Sequence, residues 1–300
     1  MTDRYSEAEI DASLARRLLT AQFPQWANLS LEPVDSAGTD NAIYRLGDSL
    51  AVRLPRFRRV ADHVEKEHRW LPKLAPFLPL SIPTPLGKGT PALGYPWNWS
   101  VYRWLEGETA TIKRIADLRQ AAIALGQFIT ALQRIDPAGG PLSGPQNESR
   151  GVPLAMRDSE TRSAITTLRN VLDADAATVA WDAALQAPVW QGPPVWLHGD
   201  LHEGNLLAEH GRLSAVIDFG LLGVGDPACD LMVGWTLLSA KTRAVFRSAL
   251  QIDDATWARG RGWALSFGLT ALAYYLNSNP GLASISRHTI DEVLADQQKT

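Results

Sequence analysis

Apolar and polar positions alternate in short runs over the first third of the chain and recur at helical spacing over most of the rest. Ile10, Leu14 and Leu18 fall on one helical face behind Ser6 and Glu9, which form a capping box. Three β-like runs follow, "LSLEPV", "AIYRL" and "LAVRL", separated by "DSAGTDN" and "GDS", turn chemistry suited to antiparallel hairpins. From about Val60 the pattern turns helical, with Val60, Val64, Glu67 and Leu71 on one face. A carboxylate in such a stripe needs a partner, unless Pro72 frays the helix and leaves Glu67 exposed. Pro-rich loops then lead to another strand-like run, "WSVYRWL".

Beyond "EGET" the helical period dominates, beginning with Leu118, Ala122, Leu125, Ile129 and Leu132. The segment "DPAGGPLSGPQNESRGVP" reads as a long surface loop of the kind that often carries function. The longest apolar run, "WALSFGLTALAYYL", falls short of the ~20 residues of a membrane span and reads as a core helix. These patterns predict a small sheet unit with one helix over residues 1–104, a hinge near Leu105, and a larger helical unit over residues 105–300. A cleft between them is the expected place for a ligand.

Composition narrows the partners. A formal charge of -3 over 300 residues provides no basic field for nucleic acid or an anionic membrane, which favours small-molecule chemistry. The single cysteine, Cys229, excludes an intrachain disulfide and reads as a small core residue. The stretch "MTDRYSEAEIDASLARRLL" has acids where a signal peptide needs a basic start and an apolar middle, so a cytoplasmic protein is expected. The eleven tryptophans read as core and cleft lining.

The chemistry lies in "WLHGDLHEGN", a polar interruption of an apolar background. Buried polar groups need either a hydrogen-bond network or a ligand. The run from Asn205 to Asp218 reads as a β-hairpin, "NLLA" and "LSAVI" joined at "EHG", which would bring Asn205 and Asp218 to one open end. An amide oxygen and a carboxylate there, completed by phosphate oxygens, suit Mg²⁺. Asp200, just upstream, would accept a proton from a hydroxyl.

His198, Asp200 and Asn205 match the spacing H-x-D-x-x-x-x-N, and Asp218-Phe219-Gly220 matches the D-F-G element that follows it in kinases. The forms "HGDLHEGN", "IDFG" and "GDPACDL" resemble the aminoglycoside phosphotransferase family of small-molecule kinases. Protein kinases carry arginine where Gly199 stands, and no A-P-E segment follows the D-F-G.

The resemblance implies an α+β, bilobal, protein-kinase-like fold with an antiparallel sheet N-lobe and a mainly helical C-lobe. It implies an enzyme that moves the γ-phosphoryl of ATP or GTP to a hydroxyl of a small molecule. Its partners would be a nucleoside triphosphate and a hydroxylated acceptor, an aminoglycoside-like antibiotic first, then a macrolide, choline or a sugar. By the same resemblance Asp200 is the catalytic base and Asn205 and Asp218 hold Mg²⁺. The hinge backbone at Arg103 and Leu105 meets adenine, and the "DSAGTDN" turn covers the phosphates. Arg53 stands where kinases have a third-strand lysine, and Glu67 is the acid expected to hold it.

Other readings follow from the same residues. His198, Asp200 and His202 alternate, and on a strand they would share a face suited to zinc or iron. Against this, His198 reads as a buried support for the loop, and Asp230 as a capping or loop-anchoring residue. Arg53 in place of lysine also admits a non-catalytic, kinase-like binding protein. Asp158, Glu160 and Glu203 are candidates to face a cationic acceptor, within or beside a helical insert from about Gly139 to Pro194. Arg56, Arg58 and Arg59 read as a solvated basic turn.

Overall fold

The computed structural model describes residues 10–34, 38 and 40–297. Two compact units form. The first comprises Met1–Pro76, Ser81–Glu106 and Val216–Gly220, and the second Phe77–Leu80, Gly107–Ala215 and Leu221–Thr300. The D-F-G residues therefore belong to the first unit, although they follow the catalytic loop of the second in sequence.

In the first unit, α1 (Ala12–Gln22) precedes β1 (Leu31–Pro33), β2 (Asn41–Leu46) and β3 (Leu50–Pro55). Helix α2 (Arg58–Leu74) and strands β4 (Pro85–Gly89) and β5 (Trp99–Arg103) complete it. The strands form one antiparallel sheet in the order β1-β2-β3-β5-β4. Helix α1 starts at Ala12 with Asp11 as its cap, the carboxylate accepting from Leu14 N at 2.7 Å. The expected capping box at Ser6 and Glu9 lies outside the described residues. Ile10, Leu14 and Leu18 join Val52, Leu54, Trp99 and Val101 in one apolar cluster.

Strand period then places Arg53. Leu50, Val52 and Leu54 are buried, while Ala51 and Arg53 alternate with them onto the opposite face. In register with β5, Ala51 faces Tyr102 and Arg53 faces Ser100. On α2 the stripe Val60, Val64, Glu67 and Leu71 is buried as its spacing requires. Pro72 does not fray the helix, because Trp70, Leu71 and Leu74 are buried and carry it on to Leu74. The Pro-rich stretch assigned to loops contains β4, an edge strand with a register shift between Pro85 and Gly87, a position where a missing N–H is tolerated.

The second unit contains α3 (Leu118–Gln133), α4 (Asp158–Thr167), α5 (Ala174–Leu185), α6 (Val233–Thr236), α7 (Ala240–Leu250), α8 (Asp254–Tyr275) and α9 (Pro280–Gln297). Among them run β6 (Glu108–Thr109), β7 (Val195–Leu197), β8 (Leu206–Glu209), β9 (Arg212–Val216) and β10 (Gly223–Gly225). Strands β8 and β9 form the expected hairpin, with His210 and Gly211 at φ +51° and +77° in the turn, and β6 pairs beside β8. Helix α8 is buried continuously from Gly262 to Leu269 and is joined to the "GDPACDL" segment by a buried ion pair, Arg259 Nε to Asp226 Oδ2 at 2.8 Å. Cys229 is buried. Among the described residues, no helix is long and apolar enough to cross a membrane.

The segment over residues 136–153 is the irregular surface loop expected of it, with most of its residues exposed or half-buried, and Leu142 forms a parallel bridge with Val224. Asn147 and Arg150 turn inward from it, and Asn147 satisfies the loop's own backbone, accepting from Gly144 N at 2.9 Å and donating to Arg150 O at 3.0 Å.

Candidate active site

The catalytic loop leaves β7 at Leu197 and is fixed from below by one side chain. The buried Asp230 carboxylate accepts from the backbone N–H groups of His198 (2.7 Å) and Gly199 (2.8 Å), the anchoring role expected of it. Gly199 adopts φ +85°, and a Cβ there would lie 2.4 Å from Leu221 O, so neither conformation nor space admits a side chain. His198 is fully buried and its Nδ1 accepts from Asp200 N at 3.1 Å, which shapes the turn that presents Asp200. Residues 198–202 lie outside any strand, so their alternation creates no shared face for zinc. Among the described residues, no three His, Cys, Asp or Glu side chains gather into a metal site of their own.

Asp200 is held on both carboxylate oxygens. Asn205 Nδ2 donates to Oδ2 at 3.2 Å and to the Asp200 backbone oxygen at 2.9 Å, while Arg150 Nη2 lies 3.4 Å from Oδ1. His202 accepts from Gly204 N through Nδ1, stacks on Phe267 with centroids 5.2 Å apart, and sets Nε2 3.5 Å from Asp200 Oδ2. Burial alone would raise the Asp200 pKa, but His202, Arg150 and His198 bring it well below the usual carboxylate range. The group is ionised at neutral pH, a weak base but a fixed hydrogen-bond acceptor. Since Asn205 spends its amide nitrogen on Asp200, its Oδ1 is left without a hydrogen bond among the described residues, as a hard-cation ligand requires.

The acids proposed to face a cationic acceptor are already committed. Asp158 Oδ1 accepts from Arg162 Nε and from Trp181 Nε1, each at 2.8 Å, and Glu160 pairs with Arg157 at 3.0 Å. Burial pushes Glu203 up to about 7 against the opposing effect of His202, which weakens it as a counter-charge.

In the first unit the expected ion pair forms: Arg53 Nη1 lies 3.1 Å and 3.3 Å from the two Glu67 oxygens, and Glu67 is 1 % exposed. Three further partners were not foreseen. Arg53 Nη2 reaches Asp218 Oδ1 at 2.6 Å, and Tyr102 donates its hydroxyl to Glu67. The Asn41 amide oxygen, turned toward the guanidinium, accepts from Nε and Nη2 at 3.1 Å. Burial works against the Arg53 charge, yet Glu67 and Asp218 more than restore it. Asp218 sits at φ +63°, rare for a side chain other than glycine's, and the preceding strand is tied down by Val216 N to Ser81 O at 2.9 Å. Phe219 is fully buried.

At the hinge, Arg103 N–H donates to Thr84 O (2.9 Å) and Trp104 N–H to Ser49 O (2.8 Å), whereas Leu105 N–H has no partner among the described residues. Of the two positions assigned to adenine, Leu105 can donate and Arg103 can offer only its carbonyl. Asp35, Ser36, Ala37 and Thr39 of the "DSAGTDN" turn lie outside the described residues. Of the basic turn, Arg59 is ion-paired with Asp40 at 2.9 Å.

His63, on α2, was not singled out by the sequence. A Cβ on Gly220 would fall 2.6 Å from its Nδ1, and burial, with Lys66, Arg53 and Arg59 nearby, lowers its pKa to about 3 despite Asp218. A folded pKa below the unfolded value of about 6.5 contributes stability that is present above pH 6.5 and lost as pH falls toward 3. Between pH 7 and pH 5 this amounts to about 2 kcal/mol, and urea denaturation of His63→Gln should show that much less acid destabilisation than wild type.

An antiparallel sheet whose third strand pairs a cation with a helix acid, and a helical unit carrying H-x-D-x-x-x-x-N, together define the kinase-like α+β class. Within that class the chain belongs to the phosphotransferase enzyme family, whose profile matches residues 32–263. No curated protein matches it by sequence. Among solved structures it is similar to the GDP complex of wild-type aminoglycoside 2'-phosphotransferase-IIIa, at TM-score 0.75 and 18% identity over 96% of this chain and 100% of that one. The streptomycin-ATP-APH(2")-IIa ternary complex gives 0.61 and 17% over 95% and 96%. The apoenzyme of macrolide 2'-phosphotransferase MphH from Brachybacterium faecium gives 0.59 and 22% over 94% and 97%. At these identities the likeness is one of fold.

Proposed function

We propose that this protein is a small-molecule O-phosphotransferase that moves the γ-phosphoryl group of ATP or GTP onto an acceptor hydroxyl. The observation that carries the reading is Asp200: an ionised carboxylate held by Asn205 within the H-x-D-x-x-x-x-N loop. Asp200 accepts a hydrogen bond from the acceptor hydroxyl and orients its oxygen for in-line attack, taking the proton as the new P–O bond forms and the bond from the γ-phosphorus to the bridging oxygen breaks, which releases ADP or GDP. Asn205 Oδ1 and the Asp218 carboxylate are the groups that would hold Mg²⁺, which when bound neutralises phosphate charge. Arg53, kept charged by Glu67, serves the phosphates, and Leu105 N–H with the Arg103 carbonyl serves the adenine edge. Solved relatives in fold are described as complexes with GDP, ADP or ATP, in keeping with a nucleotide donor.

For the acceptor, those relatives suggest an aminoglycoside first and a macrolide second. Asp158 and Glu160, the acids considered for a cationic acceptor, are each paired with an arginine while remaining partly exposed. ATP and GTP consumption across a panel of aminoglycosides, macrolides, choline and sugars tests the proposal. At least one acceptor should stimulate consumption in a Mg²⁺-dependent way, and Asp218→Ala should weaken Mg-nucleotide binding as well as turnover. No stimulation by any acceptor, together with unchanged nucleotide binding in Asp218→Ala, would overturn it.

A further inference from the structure

Arg150 presents an imbalance that the fold does not explain. It is 8 % exposed, yet its Nε and Nη1 are buried with no hydrogen-bond partner, and its polar side-chain contact is the one to Asp200. A second buried arginine, Arg157, lies close enough for repulsion to lower its own pKa, after the larger effect of burial. The guanidinium packs over the Phe267 ring at 5.8 Å, the same ring on which His202 stacks. A desolvated guanidinium with five N–H groups and one long ion pair is not a stabilising element, because its lost hydration is not recovered.

We propose that Arg150 is a positioning residue for phosphoryl transfer, pinning Oδ1 of Asp200 while Asn205 pins Oδ2; this rests on the role given to Asp200 above. With both oxygens restrained, the carboxylate cannot rotate about its Cβ–Cγ bond, and the part that remains exposed, 23 % of the side chain, meets the acceptor hydroxyl in one orientation. Within the loop "SGPQNESRGVP" Asn147 is buried and, through its bond to the Arg150 carbonyl, fixes the backbone from which the arginine reaches. A fold decrease of about 10- to 100-fold in kcat is the expected consequence of releasing the carboxylate, since small misplacements of a reacting group have effects of that order.

Arg150→Met, Arg150→Lys, Asp200→Ala and the Arg150→Met/Asp200→Ala double variant test it by melting temperature and by ADP or GDP formation from Mg-ATP and Mg-GTP, with water or the best acceptor of the panel. Arg150→Met should melt at or above wild type, because the more buried partner of the pair is the one removed. Asp200→Ala, which leaves a buried cation unpaired, should melt lower by more than about 2 °C, and the double variant should recover. In turnover, Arg150→Met should lower kcat with nucleotide KM within about twofold of wild type, Arg150→Lys should restore part of it, and Arg150→Met should add nothing in the Asp200→Ala background. An Arg150→Met protein that melts more than about 2 °C below wild type has lost a structural residue, and one with wild-type kcat has lost nothing that matters; either overturns the inference. Wild-type turnover in Asp200→Ala would instead overturn the parent reading, whereas an inactive Asp200→Ala beside a fully active Arg150→Met sinks only the role of Arg150.

Discussion

Replacing Asp200 with alanine is expected to slow phosphoryl transfer by about 10²- to 10⁴-fold while leaving Mg-nucleotide affinity near wild type. The split follows from where the side chain sits. Its contacts are to Arg150, Asn205 and His202; of these only Asn205 is assigned to Mg²⁺, and it keeps its Oδ1 and its bond to the Asp200 backbone oxygen in the variant, with Asp218 as the second ligand. Because its pKa lies well below the carboxylate range, most of the lost rate should be orientation of the hydroxyl rather than proton affinity. Single-turnover transfer together with equilibrium nucleotide binding checks it. A rate loss matched by an equal loss of nucleotide affinity would place Asp200 among the binding groups instead.

The second large effect is expected at Arg53. Arg53→Ala and Glu67→Ala should each lower kcat/KM for nucleotide by about tenfold or more, and the double variant should lose less than the sum of the two in ΔΔG‡. One guanidinium serves Glu67 through Nη1, Asp218 through Nη2 and Asn41 through Nε, so removing either end of the ion pair undoes the same arrangement. Arg53→Lys keeps the charge but cannot span three partners from one ammonium, and should fall by about tenfold, the value of one charge-assisted hydrogen bond. Additivity in the cycle would show that the two side chains act separately. Full activity in Arg53→Lys would show that the site needs a cation and not the fork.

The Arg53–Glu67 pair was legible before any coordinates from helical spacing and the family resemblance together. A helix repeats every 3.6 residues, so a glutamate in phase with Val64 and Leu71 announces a carboxylate that needs a partner, and the resemblance to kinases implied Arg53 as that partner. Spacing likewise exposed His198, Asp200, Asn205 and Asp218, since motif distances are properties of the chain. The β8–β9 hairpin was readable for the same reason. Where backbone geometry dictated the residue, as at Gly199, the letter was visible and its reason was not.

Other features required distant segments to meet. Asn41 and Tyr102 join the Arg53 cluster through strand register, which no single run of sequence reveals. Strand β4 was hidden by Pro85 and by glycines whose pairing depends on β5 lying beside them. The surface loop over residues 136–153 was legible from its turn-forming composition, but the inward turn of Asn147 and Arg150 was not, because it depends on Asn147 closing the loop on itself. Local periodicity and spacing thus determined most of the elements, the catalytic loop and the acid of one ion pair, whose cation the family resemblance implied. Which arginine meets Asp200, and which acids are already neutralised, was decided by the tertiary structure, because electrostatic partnership depends on separation in space, and that falls outside anything the order of residues encodes locally.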